Sequence, residues 1–232
     1  MKKFVFISCL TTFIACDNPD NASSVKVIGQ MRDVMWKDQL EGKISTDSIN
    51  HPTSYGLGPI EYLKGEVLLF EGKTYISKVR DHSAQDVSQI DSIRAPFFVY
   101  SFKSELQVFP IAGRNLSLTT LEQLIDSLYL DYDYPLLIRI DGVFKDLSIH
   151  SVNLATGSSV RSPDDAHEGL VNYKYQDVNG SIIGFFSRKH KAIFTHHNSY
   201  FHAHFLSDNR TIMGHVDAVF FDSDKSTFAI SK

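Results

Sequence analysis

The sequence predicts an α+β protein: a mixed β-sheet N-terminal half packed on a β-rich, sandwich- or barrel-like C-terminal half that carries a three-histidine metal site. Three observations lead there. One strongly periodic helix lies mid-chain, Leu118 to Leu130, with Leu118, Leu121, Leu124, Ile125 and Leu128 on a single stripe. Beyond Tyr134-Pro135 the chain breaks into short β-like runs separated by turn formers. Among the last of those runs stand His202, His204 and His215.

The first residues do not belong to the fold. Met1-Lys2-Lys3 is a basic start and Phe4 to Ala15 an apolar stretch too short to span a membrane as a stable helix, so residues 1–16 read as a secretory signal. Its end, Phe13-Ile14-Ala15-Cys16, resembles the lipobox of bacterial lipoproteins, in which the cysteine is lipidated after cleavage. The expectation is an exported protein lipid-anchored through Cys16 to a bacterial membrane, on its periplasmic or surface side. Phe13 departs from the usual leucine, which keeps an ordinary soluble exported protein open. Residues 17–24 form a polar tether, and 25–232 the domain, in approximate halves 25–133 and 134–232. The only cysteines, Cys9 and Cys16, precede that domain, so its core must hold it together without disulfides. A formal net charge of −4 with no Lys/Arg cluster argues against a nucleic-acid partner.

Within the domain, Val25 to Leu40 has a helix-compatible pattern (Ile28, Met31, Val34, Met35) and is expected to cover one end. Glu66 to Phe70 and Lys73 to Val79 flank Glu71-Gly72 as a hairpin, and Ala95 to Phe102 is a very aromatic strand, which suggests an interface in a homodimer. Ser117 or Thr119 caps the Leu118 helix. Strands are then expected at Leu136 to Ile140, Val143 to Val152, Leu170 to Gln176, Ser181 to Ser187, around the histidines, and at Thr227 to Ser231. Gly142, Asn179-Gly180 and Asp208-Asn209 would supply the turns.

If Phe201 to Leu206 is a strand, His202 and His204 share one face, opposite Phe201, Ala203 and Phe205. After the turn at Ser207-Asp208-Asn209, the run Ile212 to Phe221 returns antiparallel and brings His215 beside the pair. Three imidazoles with one position open suit a catalytic zinc site. Asp217 shares the face of His215 and could fix an imidazole tautomer. His196-His197, in a turn, read as exposed, and Glu66 as a charged residue opening an exposed hairpin.

Four segments resemble the α-acetolactate decarboxylases, in that family's order: Gly56-Leu57-Gly58 with Gly65-Glu66-Val67-Leu68 and Glu71-Gly72-Lys73-Thr74-Tyr75; Ile138-Arg139-Ile140-Asp141-Gly142-Val143-Phe144; Val178-Asn179-Gly180-Ser181-Ile182-Ile183-Gly184-Phe185; and the His202 to His215 block. The resemblance implies a Zn2+ ion held by His202, His204 and His215, and conversion of 2-acetolactate (2-hydroxy-2-methyl-3-oxobutanoate) to acetoin and carbon dioxide. It implies a small 2-hydroxy-3-oxo acid as partner and a homodimer. Glu66 matches a family active-site glutamate suited to proton transfer.

Departures are equally specific. A substrate-binding family arginine falls on His150, which could orient the substrate carboxylate but lacks the bidentate, always-charged fork. A family threonine falls on Pro59, and the segment that carries a second family glutamate has no counterpart before Lys232. Three readings therefore stand: a zinc-dependent decarboxylase with catalytic Glu66 and His150; an exported metal-binding lipoprotein of the same fold that has lost the activity and binds a small oxo-acid or other ligand; and another metal-assisted lyase or hydrolase acting on exported carbohydrate fragments or oxo-acids.

Overall fold

The computed structural model describes residues 25–102, 105–109, 115–128, 134–196 and 199–231; residues 1–24 with Cys16, residues 129–133 and His197 lie outside them. The chain first lays down β1 (Val25–Ile28), α1 (Met31–Lys37), β2 (Ile44–Ser45), β3 (Tyr55–Pro59), β4 (Glu66–Phe70), β5 (Lys73–Val79), β6 (Gln85–Ile90), β7 (Arg94–Ala95) and β8 (Phe98–Ser101). Six of these form one sheet in the order β1-β8-β3-β4-β5-β6, with β2 and β7 paired separately. There follow β9 (Leu106–Phe109), β10 (Asn115–Ser117), α2 (Leu118–Leu128), β11 (Leu136–Ser151), α3 (Pro163–Ala166), β12 (Val171–Phe186), β13 (Phe201–Ser207) and β14 (Met213–Ser231). In this second sheet β14 pairs with both β11 and β13, so β11-β12-β13-β14 closes on itself as a small barrel. Every ladder between these strands is antiparallel.

The α+β class and the β-rich histidine-bearing half are as expected, and so is the β4–β5 hairpin. Its two turn residues, Glu71 (φ 51°) and Gly72 (φ 77°), both adopt the left-handed conformation of a type I′ turn. Ser117 caps α2, its Oγ accepting from Thr120 N–H at 3.2 Å, and Leu121 and Ile125 are fully buried beneath the helix.

Two expectations are corrected. Val25–Ile28 is a strand on β8, not helix; three of its four residues are β-branched, and Gly29 (φ 67°) then turns the chain into α1. Gly142 and Asn179-Gly180 are not turns. Gly142 and Gly180 face each other inside the continuous 16-residue strands β11 and β12. A Cβ on Gly180 would meet the Phe205 ring at 2.6 Å and the Leu206 carbonyl at 2.5 Å, so the glycine serves close packing inside the barrel. The first sheet gives way to the second between Ser101 and Leu106, since β9 and β10 pair with the long β14. The aromatic strand β8 lies inside the first sheet, with Phe97, Phe98 and Tyr100 buried in this chain's own core; a dimer interface loses that support.

Two apolar layers position the site. Inside the barrel, Phe144 meets Phe205 and Phe221 edge-on at centroid distances of 5.4 and 5.7 Å. Between barrel and first sheet, Leu57, Leu68, Phe70 and Val99 pack on Ile183, Phe185, Leu206 and Met213. A buried polar seam fixes how the two sheets sit: Ser77 of β5 bonds Ser151 of β11 at 2.7 Å and donates to Gln85 at 2.8 Å. Gln85 Oε1 also accepts from Met213 N–H at 3.1 Å. Gly180→Ala is expected to lower stability by about 1–3 kcal/mol through overpacking, read from the midpoint of urea unfolding; an unchanged midpoint would contradict the packing role.

Candidate metal centre

Alternation along β13 sends Phe201, Ala203 and Phe205 into the barrel and His202, His204 and Leu206 out toward the first sheet. On β14, Val216 points inward, whereas Met213 and His215 face the layer between the sheets. His215 is the register partner of His204 on β13 and of His150 on β11. Directly opposed residues share a face, so three strands present His204, His215 and His150 in a row, with His202 one alternation away.

His202, His204 and His215 are all buried, and one ring nitrogen of each lies within 4.8 Å of the other two. Burial holds all three rings neutral: it pulls His202 and His215 well below the ordinary histidine range and His204 down to about 3, with neighbouring histidines adding to the effect. Neutral imidazoles are what a metal ion requires. His202 Nδ1–H donates to the Phe194 carbonyl at 2.6 Å, which fixes the tautomer and leaves Nε2 as the lone-pair nitrogen.

The decisive observation is His204. Its residue is 0% exposed, yet among the described residues neither ring nitrogen has a hydrogen-bond partner. The Val67 backbone is near enough to favour the charged ring slightly, without the geometry of a hydrogen bond. Leaving a buried polar atom unsatisfied costs about 1–3 kcal/mol, and a cation shared with His202 and His215 would satisfy it. The residues therefore fit a metal ion.

Glu66 faces this trio from β4. It is buried, not on an exposed hairpin: it pairs with Pro59 on β3 and Ser77 on β5, and Ser77 is tied to Ser151 across the sheets. Its Oε2 lies 3.6 Å from His204 Nε2, and its Oε1 accepts from Val152 N–H at 3.1 Å. Burial pushes its carboxyl up to about 7, although His150 and the Val152 N–H pull the other way.

His150 stacks on His215 with centroids 4.5 Å apart. Asp217, expected to steady a zinc ligand, instead binds His150, its Oδ1 accepting from Nδ1–H at 2.7 Å. Burial disfavours a charge on His150, but Asp217 and then Glu66 outweigh it and raise its pKa.

Two histidines escaped sequence reasoning. His196, expected to be exposed, is half-buried, and its Nε2 is 3.1 Å from His215 Nε2. Ile193-Phe194 just before it was the available signal: Phe194 is fully buried and pulls the loop inward. His167 has its ring centroid 6.2 Å from that of His150, and nothing in its polar flanks announced it. A cavity of about 30 Å³ lies over the trio, walled by Met31 and Met35 of α1, Pro59, Leu63, Glu66, Phe97, Val152 and the histidines of the site other than His204. Beside it a wider one of about 480 Å³ opens between α2 and β14, lined by Glu122, Gln123, Phe201 and Asp217 among others. His196 and His215 line both.

Residues 30–231 match the family model described as alpha-acetolactate decarboxylase. Among curated proteins the chain is similar to the alpha-acetolactate decarboxylase of Methanosarcina mazei, 24% identical over 200 residues (86% of this chain, 67% of that one). It is also similar to that of Bacillus subtilis strain 168, 26% identical over 179 residues (76% and 66%). It thus spans about two thirds of those relatives' lengths. Its fold is similar to the crystal structure of alpha-acetolactate decarboxylase from Bacillus subtilis strain 168 (TM-score 0.76, 23% identity, 89% of this chain and 84% of that one). It is likewise similar to a Staphylococcus aureus protein of unknown function that is itself similar to alpha-acetolactate decarboxylase (TM-score 0.74, 22% identity, 89% and 84%). With a family match over almost all of the described residues, the chain belongs to the alpha-acetolactate decarboxylase family.

Proposed function

We infer that this chain decarboxylates 2-acetolactate to acetoin and carbon dioxide, or a closely related 2-hydroxy-3-oxo acid to the corresponding hydroxy ketone, with a zinc ion held by His202, His204 and His215. The observation that carries the reading is the buried neutral trio with an unpartnered His204, set against a carboxyl that burial raises to about 7. When bound, a divalent ion held by these residues would supply Lewis acidity toward the oxygens of the substrate.

The chain's own groups account for the remainder. Loss of carbon dioxide leaves an electron pair that passes into the ketone, and the carbon must then take up a proton. Glu66 is placed to deliver it, because Oε1 accepts from Val152 N–H and the proton therefore belongs on Oε2, the oxygen that faces the histidines. His150 uses Nδ1–H on Asp217, and the partners that raise its pKa favour the imidazolium, whose Nε2–H would be a single donor for the substrate carboxylate where the family resemblance implies a guanidinium. Met31, Met35, Leu63 and Phe97 make an apolar wall that keeps bulk water from the reacting carbon.

A second reading, a metal-binding protein without decarboxylase activity, is favoured by two observations. Pro59, paired with Glu66, offers no hydroxyl. The inner cavity of about 30 Å³ has room for only about one or two waters. Zinc-dependent release of acetoin and carbon dioxide from racemic 2-acetolactate, well above spontaneous decay, supports the decarboxylase; a folded, zinc-loaded protein that releases neither supports the alternative.

Within the decarboxylase reading, His204→Ala is expected to abolish both bound zinc and turnover, measured by metal analysis and the acetoin assay; full activity in the metal-free variant would sink the assignment. Glu66→Gln is expected to keep its zinc while turnover falls by about 10²–10⁴-fold, the usual worth of a positioned general acid. We propose further that the protein is exported and anchored through Cys16, a reading supported by the basic and apolar start of the sequence. Membrane fractionation is expected to place the wild type with lipid and Cys16→Ala in the soluble fraction.

A further inference from the structure

His196 stands outside β13, on the segment that holds His202. The carbonyl of Phe194, two residues before it, accepts the His202 Nδ1–H, so the same fully buried Phe194 that orients one histidine of the trio sets the reach of His196. From there its ring packs against two of the three: its centroid is 4.9 Å from that of His215 and 5.8 Å from that of His202. Its Nε2 lies 3.1 Å from His215 Nε2. Two imidazole nitrogens on one tetrahedral zinc, each at about 2.0–2.1 Å from it, stand about 3.3–3.4 Å apart, so the spacing to His215 is nearly that of neighbouring ligands, while the nitrogens that already lie within 4.8 Å of one another are those of His202, His204 and His215, and His196 joins them by a turn of its ring. Its position is also singular in relation to access. His196 and His215 are the residues common to the inner cavity over the trio and the wider cavity beside α2, and His215 is fixed in a strand.

We propose that His196 is a fourth protein ligand of the metal ion, one that closes the site and is displaced when a substrate enters from the α2 side. This rests on the three-histidine reading above and changes its consequence. The resting centre is then a four-nitrogen site with no vacant position, and the inner cavity is small because the coordinating ring occupies the space the substrate will take. The ligands His202, His204 and His215 lie on paired strands, whereas His196 lies on a connecting segment, so it is the ligand that can leave without breaking a ladder.

X-ray absorption of the zinc-loaded full chain, which counts imidazoles from their scattering pattern, tests this. Four are expected in the wild type and three in His196→Ala and His196→Gln, with zinc affinity in chelator competition lowered about tenfold or more. Cobalt substitution offers a second readout: the strong visible bands of a four-coordinate ion in the wild type should weaken in both variants as water enters. Three imidazoles in wild type and variants alike would overturn the fourth ligand and leave the three-histidine centre standing, with His196 only a hydrogen-bond partner of His215. A wild-type protein that takes up no zinc would overturn both.

Discussion

The site depends on one register. β14 is held between β13 and β11 such that His215 is directly opposite His204 on one side and His150 on the other. A slip of one residue in either ladder would send His215 into the barrel among Phe144, Phe205 and Phe221 and put an apolar side chain in its place. Packing on both faces of the strands enforces that register. Val216 and Phe205 are committed to the barrel interior, and Leu206 and Met213 to the layer beneath the first sheet. Imidazole convergence is thus a by-product of apolar burial on either side of it, and the strain of gathering buried unpaired nitrogens is met by hydrophobic contacts a residue or two away.

The first sheet contributes the charge-bearing part. Glu66 reaches the histidines only because β4 and β5 are docked on the barrel through Ser77, Ser151 and Gln85, and because Val152 N–H, next to Ser151, donates to one of its oxygens. Burial alone would leave Glu66 a neutral acid with little orientation. The single backbone hydrogen bond distinguishes its two oxygens, and His150 with Asp217 balances it from the other side. The two carboxyls thus stand in contrasting surroundings, one buried and one half-exposed against an imidazole.

What was legible in the sequence follows from locality. The His-x-His pair on a strand, the turn after it and the returning His215 are all within about fifteen residues, so period-two alternation and turn chemistry sufficed. The β4–β5 hairpin and the capped helix α2 are equally local. Glu66 and His150 could be singled out only by family resemblance, because their burial comes from contacts with strands far along the chain. His196 was misjudged because its polar neighbours outweighed Phe194, whose burial is a tertiary fact. Gly142 and Gly180 misled for a related reason: a glycine marks either a turn or a close approach, and only Phe205 and Ser226, distant in sequence, decide which.

The closure of the barrel by its last strand has a consequence for assembly. β14 must find β11, some seventy residues earlier, before His150 can join the three histidines that β13 and β14 bring together, and the first sheet must dock before Glu66 arrives. Contacts so distant in sequence form late and slowly. A partly folded chain can bring the three histidines together on the local β13–β14 hairpin, but their burial, and the company of His150 and Glu66, wait until the barrel has closed in register and the first sheet has docked.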